Sequence, residues 1–366
     1  MIMFVTKQQS EAAAAVTGCG KAGRRKRAEL LEQLRPEFGR TGPWLQAGKY
    51  VAAVMSDLPK RNGQTIARHA GDRTPDRTQR LLNRAAWDTM AAMSAVRRFA
   101  VTGLDQAAAR RRGRRPLAAG ALDETGQEKA GTATAGVKRQ HMGCAGGVEN
   151  GISTVHLPDV REGTGHALTG ARQRIPGEQI ADPLRSLVTG LPPDLEFQAK
   201  GQFAMGIVAD ARAGGVVLDF ACGDEVYGNC TQLREALEGA GQAYVLRVPS
   251  NFRTAVASGI TLTCAEASRR LGAELRWEVR SADNGSKGQR WYAWAWAGTA
   301  SPRHSHLLIR RHLWTGELAW HYCFVPEGKP VSLSLLVRAG AQVAGRRGLR
   351  DRQGRFRPGP VTGPSL

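Results

Sequence analysis

The first third of the chain has apolar residues at helical spacing. This pattern predicts a short helix at 28–34, within an otherwise loosely specified segment, and then four helices. The four are expected at 49–58, 64–70, 77–84 and 87–101. A Gly-Asp-Arg-Thr-Pro segment ends the second of them, and Asp76 is a candidate cap for the third. The pattern therefore predicts two short helices around a tight turn.

The spacing of apolar residues changes to that of strands after the arginine-rich stretch 110–116. Three strands come first, and helices then alternate with strands. The strands are predicted at 117–122, 134–141, 152–157, 216–222 and 243–248, and the helices at 183–188, 201–212 and 232–240. This order indicates the α/β class, with a mixed sheet and helices on its faces. Residues 249–325 have mostly β patterns, with aromatic and small residues alternating over 291–296.

The composition is that of a globular chain with an unusual charge. At 366 residues, 42% hydrophobic and 23% charged, the chain can bury a sizeable core in two or three domains. Its net charge of +20 favours a polyanionic partner, DNA or RNA, with an anionic membrane surface as the weaker alternative. The six cysteines include no C-x-x-C pair and are interpreted as reduced thiols. With no apolar run near the ~20 residues of a membrane span and no signal-peptide core, we expect a cytoplasmic, nucleoid-associated protein.

Clustered cations are the candidates for contact with DNA. Three arginines lie at i, i+3 and i+7 on the helix predicted at 77–84, and such a helix could enter a major groove. The alternative is a surface helix with solvated arginines. The linker 110–116 and the strand predicted at 134–141 supply further cations, which could equally be ordinary surface charges. The DNA-binding candidates are Arg77, Arg80, Arg84, Arg110, Arg111, Arg112, Arg114, Arg115, Lys138 and Arg139.

Two acids follow predicted strands. Asp123 comes directly after 117–122, and Asp224 comes after 216–222. Carboxylates at the ends of two strands can meet at one edge of a sheet and share a divalent metal. Either aspartate alone could be a turn residue, but the pair on a basic chain favours a metal site. The adjacent Glu124 and Glu225 are expected to point away from the site, because side chains alternate along a strand.

The segments LDETGQEK from Leu122, GVKRQ from Gly136 and CGDEVYG from Cys222 resemble the DDE transposases of bacterial insertion sequences. The resemblance extends over roughly 58–338. It implies a ribonuclease-H-like catalytic domain that cuts and joins DNA with Mg²⁺ or Mn²⁺, with Asp123 and Asp224 as catalytic metal ligands. It also implies DNA as the partner, at element ends and target sites, and allows a homodimer on DNA. Neither a membrane nor a small-molecule substrate is expected.

The third acid of that family is missing from its expected place. In the family, the chain after the segment Leu-Leu-Val-Arg continues into a helix with a Trp-x-Val-Glu-Glu segment, whose glutamate completes the metal site. Here that segment ends at Arg338, and the residues from 341 onward include six arginines and one acid. Such a composition is typical neither of a helix nor of a core. The nearest glutamates, Glu317 and Glu327, fall in predicted turns.

A shifted reading frame is a hypothesis that would account for the missing acid. Residues 343–350 can be encoded as GTG GCC GGT CGA AGA GGG CTT CGA, and reading one base later gives Trp-Pro-Val-Glu-Glu-Gly-Phe. The same shift over 355–360 permits Ala-Phe-Gly-Leu-Asp-Gln, which is also similar to the family's continuation. Our hypothesis is that the chain is a transposase truncated by a frameshift and inactive for that reason. The alternatives are a non-catalytic DNA-binding protein that inhibits transposition, and a decayed gene product.

The predicted architecture follows from these patterns and from the resemblance. A helical DNA-binding region precedes a ribonuclease-H-like mixed sheet that is interrupted by a β-rich insertion. The divisions are a variable basic N-terminus at 1–44, the helical region at 45–109, the linker at 110–116, the catalytic core at 117–248, the insertion at 249–330 and the truncated end with its basic tail at 331–366.

Overall fold

The computed structural model describes residues 7–143, 145–272, 274–285, 288–300 and 304–344. They form two compact units, the first ending at Phe99 and the second beginning at Ala100.

The first unit is helical. Its helices are α1 (Lys7–Gln33), α2 (Thr41–Val54), α3 (Gly63–His69), α4 (Asp76–Asn83) and the first half of α5 (Thr89–Ala109). Helices α3 and α4 agree with the predicted pair of short helices around a turn. Helix α1 is much longer than the predicted helix at 28–34, because the four alanines at 12–15 have the highest helix propensity. Asp76 is the first residue of α4 rather than its cap, a position held by Pro75.

Asp72, in the turn between α3 and α4, joins that turn to α2. Its carboxylate accepts hydrogen bonds from Lys49 Nζ at 2.7 Å and Gln46 Nε2 at 2.8 Å. The hydrogen bond from Lys49, followed by that from Gln46, lowers the pKa of Asp72. Gln46 also donates to Thr78 Oγ1 of α4, at 3.1 Å. These bonds fix the orientation of α4 relative to α2.

The second unit contains the strands. They are β1 (Ala118–Ala121), β2 (Asp123–Glu128), β3 (Lys138–Met142), β4 (Gly147–Arg161), β5 (Gly165–Gln173), β6 (Phe220–Gly223), β7 (Tyr244–Val248), β8 (Arg253–Ala257), β9 (Ile260–Thr263), β10 (Glu278–Gly285), β11 (Gly288–Gly298), β12 (Ser305–His312) and β13 (Leu318–Phe324). The helices after α5 are α6 (Gly177–Ile180), α7 (Pro183–Thr189), α8 (Lys200–Ala213), α9 (Glu225–Gly228), α10 (Thr231–Gly239), α11 (Cys264–Arg270) and α12 (Leu333–Ala344).

All strands of the described ranges except β8 and β9 belong to one mixed sheet. Its order is β10-β11-β12-β13-β7-β6-β1-β4-β2, and β3 and β5 also pair with β4. Strands β1, β6 and β7 are parallel, and β4 and β13 flank them antiparallel. The predicted α/β class with a large mixed sheet is confirmed. Strands β10–β13, from the predicted β-rich insertion, continue this sheet through the pairing of β13 with β7.

Alternate residues of the central strands pack into two separate cores. Leu122, Leu157 and Leu246 lie in the cluster that contains Ile207 of α8. Their neighbours along the strands, such as Ala121, Cys222 and Val245, lie in the cluster that contains Leu336 of α12, together with Trp294 of β11. We call these two sides of the sheet the α8 face and the α12 face. Cys222 Sγ donates to the carbonyl oxygen of Ala339, at 3.3 Å, which holds α12 against β6.

Candidate active site

Asp123 and Asp224 lie at the carboxyl ends of two adjacent parallel strands. Ala121 of β1 is in register with Cys222 of β6, and Leu122 N donates to Cys222 O at 2.7 Å. Side chains alternate along a strand, so both aspartates fall on the α12 face, like Ala121 and Cys222 two residues earlier. Neighbouring strands are about 4.8 Å apart. The sheet therefore brings the two predicted acids to one edge and one face.

Local hydrogen bonds orient both carboxylates. Asp224 caps α9, and its Oδ1 accepts from Val226 N at 3.0 Å. Asp123 Oδ1 accepts from Glu124 N at 2.8 Å. Gly228, at the end of α9, packs so closely on β7 that a Cβ there would overlap the carbonyl oxygen of Arg247. The turn that holds Asp224 is thus seated directly on the neighbouring strand.

The environment of Asp224 opposes its negative charge. Burial raises the pKa of Asp224, and the carboxylates of Asp123 and Glu124 raise it further, against the hydrogen bond from Val226. The negative charges of Asp123 and Glu124 therefore both act on Asp224 at this edge. A divalent cation between Asp123 and Asp224 would relieve this repulsion, and carboxylate oxygens are the ligands that Mg²⁺ prefers. The residues present fit such an ion.

The two glutamates next to the aspartates are engaged with cations. Glu124 is on the α8 face, where Oε2 lies 2.8 Å from Lys200 Nζ and accepts from Ser153 Oγ at 3.4 Å. Glu225 Oε1 lies 2.9 Å from Arg247 Nε. The contact of Glu124 agrees with the prediction that this side chain points away from the metal ligands, whereas Glu225 pairs with a residue that lies beside Asp224. Sequence patterns could not identify Lys200 and Arg247 as neighbours of the acids, because only the strand order brings them there.

A complete metal site is absent from the described residues. No group of three His, Cys, Asp or Glu side chains within the described ranges is arranged to hold a metal ion. Glu317 is exposed in the turn between β12 and β13. The segment 345–350, where the shifted frame would encode the family's two glutamates, lies outside the described residues. The hypothesis of a truncated third ligand therefore stays a prediction.

The predicted DNA-binding arginines of the first unit are exposed. Arg77 and Arg80 project from α4, and Arg84 follows its last residue. Thr78 and Leu81, on the other side of α4, are buried. The arginine-bearing side of α4 is therefore open to a ligand.

The predicted linker cations lie far from the acids. Arg110, Arg111, Arg112, Arg114 and Arg115 are all exposed. Arg111 hydrogen-bonds to the carbonyl oxygen of Gly163, and Arg115 pairs with Asp219 at 2.6 Å. Asp219 immediately precedes β6, so this stretch lies at the amino ends of β1 and β6. The acids lie at the opposite ends of these strands.

Lys138 and Arg139 lie on β3, which pairs with β4 and not with β1. Lys138 is in register with Gly151, five positions along β4 from His156, the partner of Asp123. At about 3.4 Å per residue, the separation along β4 is roughly 17 Å. Lys138 also pairs with Glu178 at 2.5 Å. These cations are at the same end of the sheet as the acids, but they do not adjoin them.

Two tryptophans of the β-rich region are at opposite extremes of burial. Trp294 is fully buried in the core of the α12 face. Trp314, in the turn between β12 and β13, is 91% exposed.

Comparison with known proteins gives the family. No helix within the described ranges combines the length and the apolar character that a membrane span requires. No curated protein matches the chain. The family model described as DDE superfamily endonuclease matches residues 33–288, which include both aspartates and most of the sheet. Members of this superfamily generally use divalent metals. The chain belongs to the DDE superfamily of endonucleases.

Proposed function

We propose that this chain derives from the transposase of a bacterial insertion sequence, which binds the ends of its element and cleaves and transfers DNA strands. The observation that supports this best is the placement of Asp123 and Asp224 at the carboxyl ends of β1 and β6. The raised pKa of Asp224, caused by burial and then by Asp123 and Glu124, is typical of carboxylates gathered at a functional site.

Asp123 and Asp224 would hold the metal. A divalent ion bound there, Mg²⁺ or Mn²⁺, would polarise a phosphodiester and would stabilise the oxygens that attack and leave. The protein's part is to keep both carboxylates on one face, through the pairing of β1 with β6 and the capping bond from Val226. Lys200 pairs with Glu124, which limits the negative charge on the other face. The net charge of +20 and the exposed arginines of α4 support binding of the DNA itself.

In the form given by this sequence, we propose that cleavage is impaired and binding is retained. Strand transfer requires a complete set of metal ligands, whereas binding requires only a folded scaffold with its cations. The lack of a three-ligand cluster among the described residues supports this proposal. A chain that binds element ends without cutting would compete with an intact copy, which is the alternative function of an inhibitor.

Cleavage of a DNA duplex that carries the element's ends tests the proposal. The chain as given is compared, in Mg²⁺ or Mn²⁺, with a version whose reading frame is restored after Arg338. We expect only the restored version to cut, and we expect Asp123→Asn or Asp224→Asn in that version to abolish cutting while DNA binding persists. Asp194→Asn, an exposed aspartate in a turn after α7, is the matched control and should cut normally.

Two results would contradict parts of this proposal. Cleavage by the chain as given would show that a carboxylate within the present sequence completes the site. The nucleotide sequence across codons 338–366 tests the frameshift directly, because other synonymous codons would not encode the family's glutamates in the shifted frame.

A further inference from the structure

Polar side chains form a row across six neighbouring strands on the α12 face. Arg247 of β7 is in register with His321 of β13, and Arg310 of β12 is in register with Trp294 of β11. Residues that lie directly opposite each other on adjacent strands point to the same face of the sheet. Trp294 is part of the core on the α12 face, so Arg310 is on that face too. From the end of β1 to β11, the row consists of Asp123, Asp224, Arg247, His321, Arg310 and Tyr292. Arg310 lies two residues along β12 from the direct partner of His321, and Tyr292 lies two residues along β11 from the direct partner of Arg310, so the row runs diagonally across the sheet.

Arg247 is the first cation of the row after Asp224. Leu246 of β7 is in register with Gly223, so Arg247 lies beside Asp224. Its Nε lies 2.9 Å from Glu225 Oε1, but this buried Nε donates no hydrogen bond with proper alignment. The contact is an ion pair, and the N–H group of Nε remains able to donate a hydrogen bond to another acceptor.

Arg310 is the second cation, and its surroundings do not neutralise it. Its guanidinium lies over the ring of Tyr292, 4.5 Å from the centroid. Within the described ranges, no ion pair or hydrogen bond joins Arg310 to a carboxylate. Burial lowers the pKa of Arg310, and the charge of Arg247 lowers it further, while Tyr292 and the more distant Glu317 act in the opposite direction. A half-buried guanidinium without a bonded carboxylate has charge and hydrogen-bond donors left for an anion.

His321, between the two arginines, does not compensate their charges. It is buried, and burial followed by the charges of Arg310 and Arg247 lowers its pKa to about 3. It is therefore a neutral spacer at physiological pH. The positive part of the row begins beside the acids and extends over strands β7 to β12.

We propose that Arg247 and Arg310 bind backbone phosphates of the DNA strand that passes over Asp123 and Asp224. This inference rests on the proposed function and specifies the path that the DNA strand takes away from Asp123 and Asp224. Strands β6 and β12 are three spacings apart, about 14 Å, which is roughly four nucleotides at 3.4 Å of rise. Arg310 thus contacts a phosphate several nucleotides from the cleaved one. In the absence of DNA, Arg247 pairs with the carboxylate of Glu225. When DNA binds, a backbone phosphate takes the place of that carboxylate.

Arg311 provides a matched control for Arg310. It is the next residue of β12, so it faces the opposite side of the sheet, and its guanidinium lies 4.3 Å from the ring centroid of Trp277. Arg310→Gln and Arg311→Gln remove the same charge and the same type of ring contact. They differ in the face of the sheet from which the charge is lost, and Arg311 is the more exposed of the two.

The test measures the affinity of the full chain for a fluorescent DNA duplex of arbitrary sequence, without metal, over about 50 to 200 mM salt. We expect Arg310→Gln to weaken binding about tenfold and to reduce the slope of log affinity against log salt by about 0.9, the value for one phosphate contact. Arg311→Gln should leave the slope unchanged. Arg310→Lys should keep the slope, because it keeps the charge.

Three results would overturn the inference. Equal effects of Arg310→Gln and Arg311→Gln would show that only net charge matters. Loss of slope in Arg310→Lys, or unfolding of both Arg310 variants by circular dichroism, would show that the residue acts through packing. In these two cases the proposed function stands if the parent chain binds DNA. Absence of DNA binding by the parent chain would overturn the inference and the proposed function together.

Discussion

Burial shifts the pKa of two titratable side chains on the α12 face, Asp224 and His321. It raises the pKa of Asp224 and lowers that of His321, so each group is driven towards its neutral form. His321 is fully buried on a strand within the sheet, and Asp224 is partly buried at a strand end, so both charges lose solvation by water. A nearby opposite charge is then required to restore ionisation. For Asp224 the neighbours are other carboxylates, and for His321 they are arginines.

We predict that His321 makes the fold sensitive to mild acid. Its pKa in the folded protein is about 3, against 6.5 without burial, so below pH 6.5 the unfolded chain binds a proton that the folded chain does not. The stability that the fold gains from keeping His321 neutral is therefore complete above pH 6.5, and it is lost as the pH falls towards 3. From pH 7 to pH 5 the free energy of unfolding should fall by about 2 kcal/mol from this group. Urea denaturation at the two pH values measures this difference.

The variant His321→Gln should lose that part of the pH dependence. His141→Gln is the control, since His141 is exposed on β3, and it should behave like the parent chain. If the parent chain and His321→Gln lose equal stability between pH 7 and pH 5, the histidine is not the responsible group.

At the scale of elements, the pairing of β1 with β6 places the acids, and the contact of α9 with β7 holds the second of them. Gly228 permits this contact, because any side chain there would overlap the backbone of Arg247. Asp224 is the cap of the same short helix. The fold therefore depends on a residue without a side chain to fix the position of a proposed metal ligand.

We predict that Gly228→Ala destabilises the second unit by about 3 kcal/mol, because the clash is with backbone that cannot rotate away. Gly239→Ala is the matched control. Gly239 is the last residue of α10, nothing lies within 4 Å of a Cβ built there, and the alanine should stabilise the fold by about 0.5 kcal/mol. Chemical denaturation of the three proteins gives the comparison. Similar stability of Gly228→Ala and the parent chain would mean that α9 can shift away from β7.

A second prediction at this scale concerns the helical unit. Asp72→Asn should destabilise it by about 1–3 kcal/mol, because the buried carboxylate accepts from Lys49 and Gln46, and the amide cannot replace the charged bond to Lys49. Asp76→Asn, exposed in the first turn of α4, should change stability by less than about 0.5 kcal/mol. Thermal denaturation followed by circular dichroism measures both. Equal effects of the two changes would contradict a special role for Asp72.

For the whole molecule, the net charge of +20 implies that binding of DNA depends steeply on salt. We predict that the chain as given binds duplex DNA without metal and loses about 10³-fold in affinity between about 50 and 200 mM salt. The double variant Arg77→Gln/Arg80→Gln should reduce the logarithmic slope by about 0.9 for each phosphate contact. The control is Arg269→Gln/Arg270→Gln, two exposed arginines of α11, which should leave the slope unchanged. Equal slopes of the two double variants would exclude phosphate contact by α4.

Predictions from the sequence were most accurate for elements whose own residues show a clear pattern of apolar positions. Helix α8 and strand β7 were each predicted to within about one residue, because a regular apolar face or a buried apolar run marks them. Strand β5 and helix α11 were not predicted. Strand β5 has mostly polar and small residues and is buried over only part of its length. Helix α11 begins with a capping box on Thr263 inside a region dominated by strand patterns. Mixed local signals of this kind are decided by tertiary packing.

The sequence by itself determined the α/β class, the family resemblance, the basic character and the two aspartates. These properties depend on residue type and on local spacing, which an amino-acid chain displays directly. The tertiary structure alone decided which side chains become neighbours of Asp224, because strand order joins residues far apart in the chain. It places Arg247 and Arg310 in one row with the acids, and it places Arg115 at the opposite end of the strands. Periodicity of two residues predicts a face of a strand, but not which strand lies beside it.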